Sequence, residues 1–417
     1  MSLPKTVQPG KPKLPEPPSG WAQSPLGNHL TEIRRPAKLA DDDTYSLVTV
    51  KRARGGVVKR GDMTGKEISV KSQFYLEPND FLVSKRQIVH GACGVVPKEL
   101  AGSIVSNEYS VFNCRDTFDL NFLKYLSHSV YFQQTCFHSS IGVHVEKLIF
   151  KVDQWLKWNF NVPPLAEQKK IAKILSTWDQ AIDTNEQLIK KAYAQKKALL
   201  QGLFPSEAEM KTAKDSGAGL SYLRDVCEFL SGPAFESDNF AESGLKLLRG
   251  SNIKRGELDW SDKLTVFWPS LQGLEKYLLR QRDVVIAMDG YVGRSHAQID
   301  DETANKALLV QRVARLRPTG IDPDYLYALV SSERFFRHCE RRKTATAIAH
   351  ITMEDIRQFP FIKVDQEKER LLGRAFATIN SELLSLNKTK ASLLKQKTAL
   401  MQQLLTGKRR VKLDGGA

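Results

Sequence analysis

Gln195-Lys-Lys-Ala-Leu-Leu-Gln and, 201 positions later, Gln396-Lys-Thr-Ala-Leu-Met-Gln are two versions of one phrase, and their reading decides the fold. A match at a fixed offset marks a duplicated unit. It extends from about Leu165 to Phe204 and from Gln366 to Leu405. In the first copy apolar residues step by four and three through Ile171, Leu175, Trp178, Ile182, Ile189, Ala192, Leu199 and Leu203, with Asn185 and Lys196 as polar members. In the second the stripe runs through Leu372, Phe376, Ile379, Leu383, Leu386, Leu393, Leu400 and Leu404, with Lys390 and Lys397 as polar members. That spacing puts each set on one face of a long helix, the pattern of a coiled-coil seam. Alone, such a helix leaves its stripe in water. Pairing the copies gains on the order of 10–20 kcal/mol per helix before the entropy of ordering is subtracted. Two antiparallel helices of roughly 60 Å each are therefore expected.

Working outward, each helix follows a segment of similar length, Trp21–Val162 and Leu220–Ile362, with a shared syntax. Asp80-Phe-Leu-Val-Ser and Asp283-Val-Val-Ile-Ala read as strands, followed by His90-Gly-Ala-Cys-Gly and Asp289-Gly-Tyr-Val-Gly as glycine-bounded turns. Phe122-Leu-Lys-Tyr-Leu and Tyr325-Leu-Tyr-Ala-Leu read as short helices. The fold expected is α/β in the broad sense, or α+β: two pseudo-symmetric domains joined by two antiparallel coiled-coil helices. The divisions are a Pro-rich leader at 1–20, a first domain at 21–162, a helix at 163–204, a linker at 205–219, a second domain at 220–362, a helix at 363–407 and a basic tail at 408–417. Leader and tail are expected to be loose.

The 417 residues carry a formal charge of +15, which points to a polyanionic partner and first to nucleic acid. No apolar run reaches the roughly 20 residues of a membrane-spanning helix, and the N-terminal prolines do not resemble a signal peptide, so a cytoplasmic protein is expected. Cys93, Cys114, Cys136, Cys227 and Cys339 form no C-x-x-C pair, and neither disulfides nor zinc is indicated.

Pro163-Pro-Leu-Ala-Glu-Gln-Lys-Lys opening a long helix, the stretch Gly244 to Ile253, and Asp289-Gly-Tyr-Val-Gly give the chain its family likeness. Over almost its whole length it resembles the specificity subunits of type I restriction-modification systems. The resemblance implies a non-catalytic subunit: each domain reads half of a split double-stranded DNA site, while the helices set the gap and bind two methyltransferase subunits. It implies no cofactor in this chain, with S-adenosylmethionine held by the methyltransferase subunits and ATP and Mg by restriction subunits where present. The second helix departs from the pattern at Val364-Asp-Gln-Glu, which lacks the Pro-Pro pair, and the leader is unusually rich in proline.

Reading DNA requires cations for phosphates together with amides, hydroxyls and aromatics for bases. The first domain offers Lys51, Arg52, Arg54, Lys59, Arg60, Lys71, Lys85, Arg86, Ser139 and Ser140, with Gly55 and Gly56 allowing close backbone approach. The second offers Arg249, Ser251, Asn252, Lys254, Arg255, Tyr291, Arg294, Arg341, Arg342, Lys343, Thr344 and Thr346. Enzyme signatures are missing: there is no phosphate-binding G-x-x-x-x-G-K-[ST] and no methyltransferase motif. One nominal nuclease set, Asp153 with Glu167 and Lys169, has its second carboxylate in a helix's first turn, where the macrodipole already accounts for it. Two rival readings are a coiled-coil scaffold that binds nucleic acid without specificity and a free-standing nuclease. If the seam acts as a ruler, inserting four residues in it lengthens the DNA spacer by roughly two base pairs. Mapping methylated sites of the insertion mutant checks this, and an unchanged spacer would refute it.

Overall fold

The computed structural model describes residues 10–142, 144–145, 148–202, 211–212, 215, 219–345 and 349–413. Leu203, Thr346 and most of the linker lie outside the described residues. The chain divides into two compact units, Met1–Thr184 with Lys390–Ala417, and Asn185–Thr389.

In the first unit an antiparallel sheet runs in the order Leu30–Ile33, Tyr109–Cys114, Phe81–Ser84, Cys93–Val95. Phe81 and Val83 point into one core with Phe112, Phe122, Phe132 and Trp155, while Leu82 points into another with Val48, Val57 and Val111. A strand buried on both faces is apolar at consecutive positions. The second unit repeats the arrangement with Cys227–Ser231, Val313–Pro318, Val284–Ala287 and His296–Gln298. Here too Val284 and Ile286 face one core, and Val285 and Ala287 face the other.

Side chains that shape this framework recur 203 positions apart. Asp119 and Ser129 cap the helices Leu120–Leu126 and Val130–His138, and Asp322 and Ser332 cap Pro323–Val330 and Glu333–Glu340. Buried Asp80 and Asp283 each accept a backbone N–H three residues upstream and a two-pronged guanidinium, from Arg35 and Arg317 respectively. Strand register corrects one alignment. Val83 pairs with Cys93 and Ile286 with His296, so the loops between them are equally long and Tyr291 corresponds to Ile88. The glycine-bounded turns are thus offset by four residues from the match suggested by their sequences. Outside the shared framework the units differ. The first adds a five-stranded sheet, the second a three-stranded one.

The long helices span Leu165–Gly202 and Gln366–Leu405. In the first unit Ile171 and Leu175 share a core with Leu404 and Leu405, and Asp179 accepts hydrogen bonds from Lys397 and from the Tyr125 hydroxyl. Advancing along one segment therefore means retreating along the other. Burial pushes the Asp179 carboxyl up, but Lys397 and Tyr125 outweigh it and hold the group below its ordinary value. In the second unit Leu199 and Leu200 pack on the core that holds Leu372 and Phe376, and the Lys196 ammonium lies 5.0 Å from the Phe376 ring centroid. Of the named seam positions that are described, Trp178, Ile182, Ile189, Ile379, Leu386, Leu393 and Leu400 are half-buried, and Leu383 is buried. Asn185 is buried, and its side-chain oxygen has no partner among the described residues.

Near its start, each long helix meets the cap of a short helix through a buried polar side chain. Buried Gln168 accepts the backbone N–H of Asp119 at 2.8 Å, and Glu369 accepts that of Asp322 at 3.2 Å. Gly373 lets the second contact form, since a Cβ there would lie 2.8 Å from the Tyr325 backbone nitrogen. Burial raises the Glu369 carboxyl above its ordinary value. A carboxyl raised in the folded state favours folding below its unfolded-state value, and that contribution is lost as pH rises through the folded one. At neutral pH the charge is a cost. Glu369→Gln, which imitates Gln168, is expected to raise the melting temperature at pH 7, with the gain shrinking near pH 4; thermal unfolding at the two pH values checks it.

Described parts of the leader and tail, residues 10–20 and 408–413, make contacts that the sequence does not announce. Asn161 donates to the Pro15 carbonyl at 2.9 Å, and Arg410 holds both carboxylate oxygens of buried Glu167 at 2.8 Å while also donating to the Ser19 carbonyl. Trp21 donates to the same carboxylate at 3.0 Å. Backbone around 15–21 and side chains around 404–411 are thus clasped onto the first unit, because Glu167 gives the basic tail an anionic anchor that sequence distance conceals.

Candidate nucleic-acid interface

The second unit contains an open groove of about 2490 Å³. From the sequence candidates it gathers Arg255, Arg341 and Arg342, and it adds Lys196, Lys197, Arg224, Arg334, Arg337 and Lys388, against only Glu257, Asp300 and Glu333 as carboxylates. Arg334, Arg337 and Arg341 follow helical spacing, so one face of Glu333–Glu340 and its end delivers three guanidiniums to the same wall. That spacing was readable in the sequence and was missed because the helix was not delimited.

The groove's charge comes from Arg and Lys. Burial, followed by the nearby Lys196, lowers His296 to about 4, so its ring is neutral at physiological pH. Burial and Arg255 lower Lys196 to about 8, leaving it charged at neutral pH and losing that charge in mildly alkaline solution. Such a groove can bind phosphates.

Other candidates are placed differently. Asn252 is fully buried, bonding the Arg249 N–H and the Asp259 and Leu264 carbonyls, so it builds a turn and has no edge left for a base. Arg249 is half-buried and donates to the same Leu264 carbonyl. Thr344 bonds His350, Lys343 pairs with Glu340, and Lys254 donates to the Ser251 carbonyl. Ser251 is exposed, and the Arg294 guanidinium lies 3.6 Å from the Phe336 ring centroid.

In the first unit Arg54 turns inward, donating to the Ser127 carbonyl at 2.7 Å and to Gln133 at 3.0 Å. Ser139 is buried and accepts from Trp158, while Ser140 bonds the Cys136 carbonyl. These three support the core, and their assignment to DNA is corrected. The turn glycines serve close approach, but to protein: a Cβ on Gly94 would lie 3.3 Å from Gly56. Lys59 pairs with Asp62, Lys71 donates to the Gly65 carbonyl, Lys85 to the Asn107 carbonyl, and Arg86 grips Glu108. Lys51, Arg52 and Arg60 are exposed. The nominal nuclease set dissolves, since both Glu167 oxygens are occupied. Among the described residues no group of three or more His, Cys, Asp or Glu is placed to hold a metal ion, and no helix is long and apolar enough to cross a membrane.

The two units thus share one α+β framework, carry unlike second sheets, and in the second unit line a basic groove. Residues 21–193 match the family model described as type I restriction modification DNA specificity domain. The chain is 28% identical over 423 residues to the type I restriction enzyme MjaVIII specificity subunit of Methanocaldococcus jannaschii, covering 95% of this chain and 94% of that protein. It is 27% identical over 158 residues to the EcoAI specificity subunit of Escherichia coli, covering 36% of this chain and 26% of that one. The fold resembles the crystal structure of a type I restriction-modification S subunit from M. genitalium, with a TM-score of 0.61 at 15% identity over 97% of this chain and 98% of that one. Over these spans the chain is similar to specificity subunits of type I restriction-modification systems.

Proposed function

We propose that this chain selects the DNA sequence on which a type I restriction-modification complex acts, each unit reading one half of a two-part target. The observation that carries this reading is the combination of one framework, repeated residue for residue at its caps and buried carboxylates, with two different outer sheets and loop sets. A shared framework suits equivalent docking on two copies of one partner, and unlike outer surfaces suit two unlike half-sites. The second unit's groove supplies phosphate contacts, which position the protein, and exposed loop side chains supply discrimination.

In this reading the chain performs no chemistry. Two methyltransferase subunits carry S-adenosylmethionine, restriction subunits where present carry ATP and Mg, and the work is done on chromosomal DNA in the cytoplasm. Footprinting of the chain with its partner methyltransferase tests the proposal. Two protected blocks separated by an unread middle support it; uniform protection along the duplex would overturn it in favour of non-specific binding.

A further inference from the structure

We infer that Tyr291 is a specificity-determining side chain of the second unit, stacking its ring on nucleobases of the half-site that this unit reads. The inference rests on the DNA-recognition reading above and adds a residue and a mode of contact to it.

Tyr291 is 82% exposed, the highest value among the exposed large hydrophobic residues described. Its mount is rigid. The Tyr291 carbonyl accepts from the N–H groups of Arg294 and Ser295, Gly290 donates to the Ala349 carbonyl at 2.9 Å, and neighbouring Val292 is buried in the core. Gly290 and Gly293 have φ of +81° and +73°, and a Cβ on Gly293 would lie 2.8 Å from the Cys339 Cβ, so the loop sits directly on the helix Glu333–Glu340. The backbone is tied down while the ring stands in water, which lowers the entropy lost on binding.

Position in the framework sharpens the point. The equivalent residue of the first unit is Ile88, which is 1% exposed and packed in the core. One unit buries this position and the other projects an aromatic from it, as expected if the two halves are read differently. The surroundings select the ligand: Arg294 and Arg312 flank the loop, and the helix beneath it carries Arg334 and Arg337 into the basic groove. An aromatic face among guanidiniums suits a base with its phosphates.

The test uses the full chain assembled with its methyltransferase and a duplex containing the mapped target. Tyr291→Ala is expected to lower target affinity roughly 5- to 150-fold, the value of one aromatic–base stack, while leaving the salt dependence unchanged because no charge is lost. Tyr291→Phe should restore affinity. With 2-aminopurine in the second half-site, fluorescence should change on binding of the parent and the Phe variant but not of the Ala variant. Unaltered affinity and fluorescence in the Ala variant would overturn the inference. So would loss of methyltransferase assembly in place of DNA binding, which would make the ring a protein contact. If the parent complex itself protects no two-part site, the DNA-recognition reading fails first, an outcome distinct from either.

Discussion

Substituting Arg255, Arg337 and Arg341 together by alanine is expected to weaken DNA binding of the assembled complex about 10²- to 10³-fold near 0.15 M salt, equally for target and unrelated duplexes. All three line the groove of the second unit, and Arg337 is 63% exposed beside a Glu333 carboxylate 3.9 Å away, so little desolvation opposes a phosphate. Each phosphate contact releases condensed counterions. Losing three should therefore reduce the magnitude of the log–log salt slope by about 2.7. Titrations at several salt concentrations measure both quantities. Parent-like affinity with a parent-like slope would remove the groove from the DNA path, whereas an effect confined to the target sequence would make these residues base readers.

Trp155→Ala should be the most damaging single change to stability. Trp155 is fully buried, with Phe112, Phe132 and Phe150 at ring distances of 5.6, 5.4 and 5.4 Å. Truncating a buried Trp removes its burial and leaves a void, typically about 3–5 kcal/mol, a large part of the roughly 5–15 kcal/mol that holds a domain folded. The Trp155 indole N–H is buried and has no hydrogen-bond partner among the described residues. Trp155→Phe should cost much less than the alanine change, because its ring keeps most of the buried volume, and losing the donor costs neither variant a bond to a described residue. Denaturant unfolding of the three proteins orders them parent, Phe, Ala; equal losses for Phe and Ala would show that a smaller ring does not fill the site.

How much of this was legible beforehand depends on whether the information is local. The duplication, the helical stripes and the strands beginning at Asp80 and Asp283 are periodic in sequence, so residue spacing identifies them. Tyr291, Arg255 and Arg341, which the structure leaves exposed, stand out in the sequence because turn glycines and runs of cations are local signals. Arg54, Ser139 and Asn252 were misassigned for the complementary reason. A polar side chain looks the same in sequence whether it faces water or closes a buried turn, and only the partners at Gln133, Trp158 and Asp259 distinguish the cases.

By itself the sequence determined that one unit is present twice and that each copy ends in a long amphipathic helix, since both facts are carried by spacing along the chain. Tertiary structure alone decided that the tail docks on Glu167, that Gln168 and Glu369 hold equivalent helix starts, and that Ile88 and Tyr291 occupy one framework position with opposite exposure. Those outcomes depend on pairings between residues tens to hundreds of positions apart, and strand register and burial set them where no local pattern does.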